Sequence, residues 1–223
     1  MTVYPHPIVF FDLDETLINK DATSLWIKWR IGQDRWAILE GLLAYLSLYR
    51  AYKAGKVTHK RLSRYYRVRT RRMSKETYRH KVNDFFGQRG QLHVYPQAAS
   101  LLFAYRNRGA RIVMITGADD VIAQAYANLL GIDDTISNEL CEVNGEVIGI
   151  SEPICYGKGK VELAKQFLSE SGYEFKDCVF YSDSHADLPM LESVAQPVVL
   201  NPNQKLDSIA RQRNWPILDW RKT

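Results

Sequence analysis

Asp12 and Asp14 stand two residues apart at the end of an apolar run that opens at Ile8, in IVFFDLDETL. Side chains alternate along a strand, so the two aspartates face the same side and Leu13 faces the other. Two carboxyls this close repel each other when both are charged. A divalent cation relieves the repulsion, or one carboxyl keeps its proton. Either outcome suits phosphoryl transfer, in which a carboxylate nucleophile needs its charge shielded from the phosphate and the leaving oxygen needs an acid. Two further apolar runs also end in polar groups. RIVMITG ends in Thr116 and Gly117, and CVFYSD ends in Asp183, with Asp187 four residues beyond. Taken singly, Thr116 reads as a turn residue, Asp183 as a helix N-cap and Asp187 as an exposed helix residue. Lys158 and Lys160 precede a helical run whose apolar positions are Val161, Leu163, Ala164 and Phe167.

Three strand ends can work together only if the fold gathers them on one rim. After Pro96 strands and helices alternate. Helices are expected at about 97–107, 119–130, 159–171 and 204–213, and strands at 111–117, 178–183 and 197–200. Asn144-Gly145 between two β-like runs predicts a hairpin. This alternation predicts a doubly wound parallel sheet with helices on both faces, whose ligands bind beyond the carboxyl ends of the strands. Residues 20–94 differ in texture, with helical spacing and many Trp, Tyr, Leu and Arg. The expected architecture is α/β: a Rossmann-like core from residues 1–19 and 95–223, carrying an inserted α-helical cap at 20–94.

The composition, 46% hydrophobic and 25% charged over 223 residues, is that of a globular chain able to bury a sizeable core. Cys141, Cys155 and Cys178 are odd in number and widely spaced, which fits a reduced cytoplasmic protein without a zinc cluster. The N-terminus reads as a first strand and not as a secretion signal. The most apolar stretch, residues 36–49, is short for a membrane span and contains Glu40. It reads as a buried cap helix or as a helix lying at a membrane surface. Residues 50–81 hold 13 Lys or Arg against the single acid Glu76, so that the rest of this chain of net charge +5 carries −7. Such asymmetry fits an anionic substrate, a peripheral contact with an anionic membrane, or a solvated helix face. Tyr65 and Tyr66 among arginines could contact nucleic acid, but cap packing explains them as well.

DLDETL, ITG, GKGKVELAKQFL and YSDSHADLPML, in this order, resemble the four signatures of the haloacid dehalogenase superfamily. The large insert between the first two signatures is similar to that of its subfamily IB, the phosphoserine-phosphatase-like group. The resemblance implies that Asp12 attacks phosphorus to form an aspartyl-phosphate and that Asp14 serves as general acid and base. It implies Mg2+ on the Asp12 carboxylate, the Asp14 backbone carbonyl and Asp183. Thr116 and the Gly117 amide would hold phosphate oxygens, Lys160 would offset negative charge, and Asp187 would orient a water or the lysine. Asp21 occupies the position of a cap glutamate that contacts the substrate's amino group, and is one methylene shorter. Ser182 stands where the family usually has glycine, and Glu15 where the subfamily commonly has Ser or Gly. The expected function is a Mg2+-dependent phosphomonoester hydrolase acting on a small phosphorylated metabolite or a phospholipid headgroup. A phosphotransferase of the same fold and a non-catalytic binder of nucleic acid or membrane are the alternatives. The sequence leaves the substrate open among phosphoserine, histidinol phosphate, phosphatidylglycerophosphate and others, and does not set the oligomeric state.

Overall fold

The computed structural model of the chain describes residues 7–31, 38–53, 56–71, 73–89 and 93–222. At its centre β1 (Ile8–Phe11) lies between β2 (Arg111–Asp119) and β6 (Cys178–Ser182), parallel to both. All four β1 residues are buried, which is why this strand is a continuous apolar run and not an alternating one. Val9 and Phe11 pack into the core on one face with Met114 and Tyr181. Ile8 and Phe10 pack on the other with Val113, Ile115 and Phe180. Together with β3 (Asp134–Asn138), β7 (Gln196–Leu200) and β8 (Ile217–Leu218) they form a parallel sheet of order β3-β2-β1-β6-β7-β8. The chain builds to one side of β1 and then crosses to the other. The carboxyl ends of β1 and β6 therefore border the switch point, where a crevice opens.

The four expected helices are α5 (Pro96–Arg106), α6 (Asp120–Leu130), α7 (Lys158–Ser171) and α9 (Gln204–Gln212), and a short α8 (Leu188–Ser193) follows β6. Asp119 caps α6 by accepting the Ile122 N–H, and Gly131 ends it at a φ of 64°. Two details differ from the sequence expectation. The run before Asn144 splits, so that β3 joins the main sheet while β4 (Leu140–Val143) pairs with β5 (Glu146–Ile150) as a separate hairpin. The closing segment adds the edge strand β8.

Between β1 and α5 the chain forms α1 (Ala22–Ile31), α2 (Ile38–Lys53), α3 (His59–Thr70) and α4 (Lys75–Gln88). It leaves and re-enters the core side by side, with Ile18 bridged to Val94 and the Tyr95 N–H donating to the Leu17 carbonyl at 3.0 Å. No described helix is long and apolar enough to cross a membrane. Trp36 and Ala37, the start of the apolar stretch, lie outside the described residues.

The insert is fastened to the core by a buried charge pair. Arg69 of α3 meets Asp119 at 2.9 Å, with both side chains at most 2% exposed. Tyr78 of α4 donates to the same carboxylate at 3.0 Å, and the Trp26 ring lies 4.8 Å from the guanidinium carbon. Removing one member of a buried pair strands the other without a partner. Arg69→Met is expected to lower stability by about 3–5 kcal/mol in urea unfolding. A loss within experimental error would show that the pair does not hold the insert down.

Candidate functional site

The loop after β1 begins with Asp12, whose N–H donates to the Tyr181 carbonyl at 2.9 Å and so ties it to β6. Lys160, in the first turn of α7, sends its ammonium between two carboxylates, 2.7 Å from Asp12 Oδ1 and 2.8 Å from Asp187 Oδ2. None of the three is more than 6% exposed. Lys158 is exposed at the start of the same helix. Gly159 between them is a packing requirement, because a Cβ there would collide with the Ile154 carbonyl oxygen. Asp187 is therefore not the surface helix residue that its spacing alone allows. A 3-10 turn, His185–Asp187, folds it back into the site. The Ser182 hydroxyl donates to its Oδ2 at 2.8 Å.

Burial sets the electrostatics. It pushes the Asp12 carboxyl up to about 6, against the opposing pull of Lys160, which leaves Asp12 largely ionised at neutral pH. Asp14 is raised well above the ordinary carboxylate value by burial and by the nearby Asp21 and Asp12 charges. It accepts the Ala22 N–H at 2.7 Å, at the start of α1. Burial also disfavours charge on Lys160, but Asp12 and Asp187 outweigh it and hold the ammonium protonated. Asp183 is raised by burial and by Asp12 and Asp187. A carboxylate paired with an ammonium beside one that holds its proton more tightly than usual is an arrangement for a nucleophile and an acid.

Among the described residues no three His, Cys, Asp or Glu side chains form a group able to hold a metal by themselves. The donors at hand are the carboxylates of Asp12 and Asp183, with backbone oxygens of the loop after β1. Four carboxyls, Asp12, Asp14, Asp183 and Asp187, line the site with a single ammonium, that of Lys160, which bonds Asp12 and Asp187. That excess of oxygen and negative charge fits a hard divalent cation that keeps several of its waters.

A cavity of about 330 Å³ opens above these groups. Gly117 lines it, whereas Thr116 does not. Thr116 is fully buried, and its hydroxyl oxygen accepts the Ala118 N–H at 3.1 Å. The far wall comes from the insert, with Tyr45, Leu48 and Tyr49 of α2 and Tyr65 and Tyr66 of α3. Asp21 also lines it, while one of its oxygens caps α1 by accepting the Ser24 N–H at 2.5 Å. The basic stretch stays outside. Arg61, Arg64 and Arg67 are exposed and line no part of the cavity, and Lys75 pairs with Asp120 at 2.6 Å. The charge asymmetry of the sequence is thus not turned toward the site. Lys160 is the one cation among the described lining residues, and the other charged groups there are acids. The sequence reading passed over the contacts of Ser182 and the strand-end amide Asn138. The latter could have been noticed, since it closes a β-run as Asp12 and Asp183 do.

The profile of the haloacid dehalogenase-like hydrolases matches residues 9–192. The chain belongs to this family. It is 27% identical to a histidinol-phosphatase of Neisseria meningitidis, over 96% of this chain and 99% of that one. Its fold is that of a Bordetella pertussis protein of unknown function, with a TM-score of 0.84 at 23% identity over 96% and 98% of the two chains. A substrate-bound phosphoserine phosphatase gives a TM-score of 0.66 at 15% identity, over 96% of this chain and 93% of that one, a likeness of fold alone. Within this hydrolase family, the site lies at the switch point where the fold places ligands.

Proposed function

We propose that this hydrolase is a phosphatase that works through a phosphorylated Asp12 on a small monoester whose alcohol carries a cationic group. The observation that carries the chemistry is the buried Asp12–Lys160–Asp187 bridge. Lys160 occupies Asp12 Oδ1, leaving Oδ2 to attack phosphorus. As that P–O bond forms, the bond to the ester oxygen breaks, and Asp14 gives the departing oxygen its proton. Water then attacks the phosphorus of the aspartyl-phosphate and gives its proton back to Asp14, releasing phosphate and restoring Asp12. The Gly117 amide donates to a phosphate oxygen, and Thr116 supports the same loop. The carboxylates of Asp12 and Asp183 with the Asp14 carbonyl would hold Mg2+, which when bound offsets the charge of the phosphate.

The cavity wall supports the substrate reading. Tyrosine faces attract cations, and Asp21 and Glu15 add negative charge. A carboxylate or a second phosphate on the alcohol would meet no basic partner among the described lining residues besides Lys160, which already bonds Asp12 and Asp187. The relative named a histidinol-phosphatase is consistent with such a substrate. A panel of histidinol phosphate, phosphoethanolamine, phosphoserine and glycerol phosphate, run with Mg2+ and with chelator, tests this. The cationic, carboxylate-free esters should give the highest kcat/KM, and chelator should abolish turnover. Preference for phosphoserine or glycerol phosphate would contradict the substrate reading. Added acceptor alcohols distinguish hydrolysis from phosphotransfer by their products. Contact with an anionic membrane is a separate reading, supported by exposed Leu46 and Tyr49 beside Arg50 on α2. Failure to sediment with anionic vesicles would dismiss it.

Asp14→Asn keeps an oxygen for the Ala22 N–H but has no proton to give at the acidity needed. It is expected to slow alkyl phosphates by about 10²-fold or more and an activated aryl phosphate much less. Equal losses on both esters would remove Asp14 from the acid role.

A further inference from the structure

β2 and β3 run in register through Ile115, then slip before Asp119 pairs with Asn138. Residues 116–118 therefore bulge out of the ladder, beside the cavity that Gly117 lines. A bulge of this kind re-aims backbone groups, but it leaves their carbonyls and amides without ladder partners. Here side chains supply them. Asn138, 1% exposed at the end of β3, donates from Nδ2 to the Gly117 carbonyl at 2.7 Å. Its Oδ1 accepts the Cys155 N–H at 2.8 Å. The two partners fix which way the amide points, since a carbonyl needs the NH2 and an N–H needs the oxygen. The peptide between Gly117 and Ala118 is thus held at both ends, its carbonyl by Asn138 and its N–H by Thr116. From the insert, the Tyr66 hydroxyl donates to the same carbonyl at 3.4 Å.

We propose that Asn138 is a positioning residue that sets the direction of the Gly117 amide toward the transferring phosphoryl group. This rests on the phosphatase reading above, because Gly117 has that task only if a phosphoryl group sits over Asp12. Asn138 lines the cavity but acts through backbone. It locks the peptide that follows the Gly117 amide and joins it to Cys155, in the segment that leads into α7 and Lys160. Residue 117 has no register partner on β3, so holding its carbonyl fixes the peptide unit next to the amide that borders the cavity. Small displacements of such a donor weaken transition-state contacts more than ground-state ones.

The test uses Asn138→Ala, which removes both bonds, and Asn138→Asp, which keeps an oxygen for Cys155 but, when ionised, faces the Gly117 carbonyl with a repelling oxygen. Measurements are kcat, KM, inhibition by orthovanadate and Tm. Orthovanadate is the probe because it takes the five-coordinate shape of the transferring group. Both variants should lose about 10²-fold in kcat. Orthovanadate inhibition should weaken in step, while KM changes far less. If Asn138→Ala fails to fold, Asn138→Asp carries the test. Folded variants with wild-type kcat and wild-type orthovanadate inhibition, whatever their Tm, would overturn the positioning role and leave the phosphatase reading standing. A wild-type protein that neither hydrolyses phosphate esters nor responds to orthovanadate would overturn both.

Discussion

Asp12→Asn is expected to reduce turnover of any phosphate ester by about 10⁴-fold or more, because the loss of a nucleophile removes a whole reaction path. The substitution is nearly isosteric, and the Asp12 N–H bond to Tyr181 does not involve the side chain. An amide oxygen still accepts from Lys160, so the fold should survive and circular dichroism should be unchanged. The amide cannot form an acyl-phosphate at a useful rate. The burial of Asp12 also bears on stability. With one carboxylate fewer in a site that gathers four, repulsion falls, and Tm should hold or rise. A variant with more than a hundredth of the wild-type kcat would transfer the nucleophile's role elsewhere.

Lys160→Met is expected to be nearly as damaging, and to cost stability as well. The ammonium bonds to Asp12 and Asp187 at once, and all three side chains are at least nine-tenths buried. Methionine matches the length of the stem but leaves two buried carboxylates facing each other. Breaking a buried pair by removing one partner costs about 3–5 kcal/mol. Loss of a preorganised positive group where phosphoryl charge gathers costs about 10³-fold in kcat. Lys160→Arg retains charge but carries a larger, planar head into a tight space, and should recover stability more than rate. Stability by urea unfolding and kcat on a reactive aryl phosphate separate the two effects. A Lys160→Met variant within tenfold of wild type would show that the bridge is structural only.

Much of the fold was legible because its signals are local. The unbroken apolar run of β1, the Asp119 and Gly131 limits of α6 and the Asn144-Gly145 turn each follow from one stretch of chain. That the acids gather at one rim was legible for the same reason, since Asp12 and Asp183 directly follow β1 and β6. Contacts across the chain were harder. Ser182 reads as a small residue tolerated in place of glycine, and only the turn that brings Asp187 back gives its hydroxyl a partner. The basic stretch left three readings open because a count of charge does not give its face. Leu62, Tyr65, Tyr66 and Arg69 fall at helical spacing on the buried side of α3, so Arg69 belongs to the packing stripe and not to the exposed run. The charge of Arg61, Arg64 and Arg67 points away from the cavity for the same geometric reason. Thr116 shows the converse. Its motif is legible, but its hydroxyl lies behind the cavity surface, bonded to the loop it stabilises.

The central claim is a covalent phosphoryl group on Asp12. It is tested most directly by mixing the enzyme with excess ester, quenching within the first turnovers and reducing with borohydride, which converts an aspartyl-phosphate to homoserine. Peptide mass spectrometry should then find homoserine at residue 12, in wild type only with ester present and not at all in Asp12→Asn. Homoserine at Asp14 or Asp183, or turnover with no trapped residue at any time during a burst of product, would contradict it.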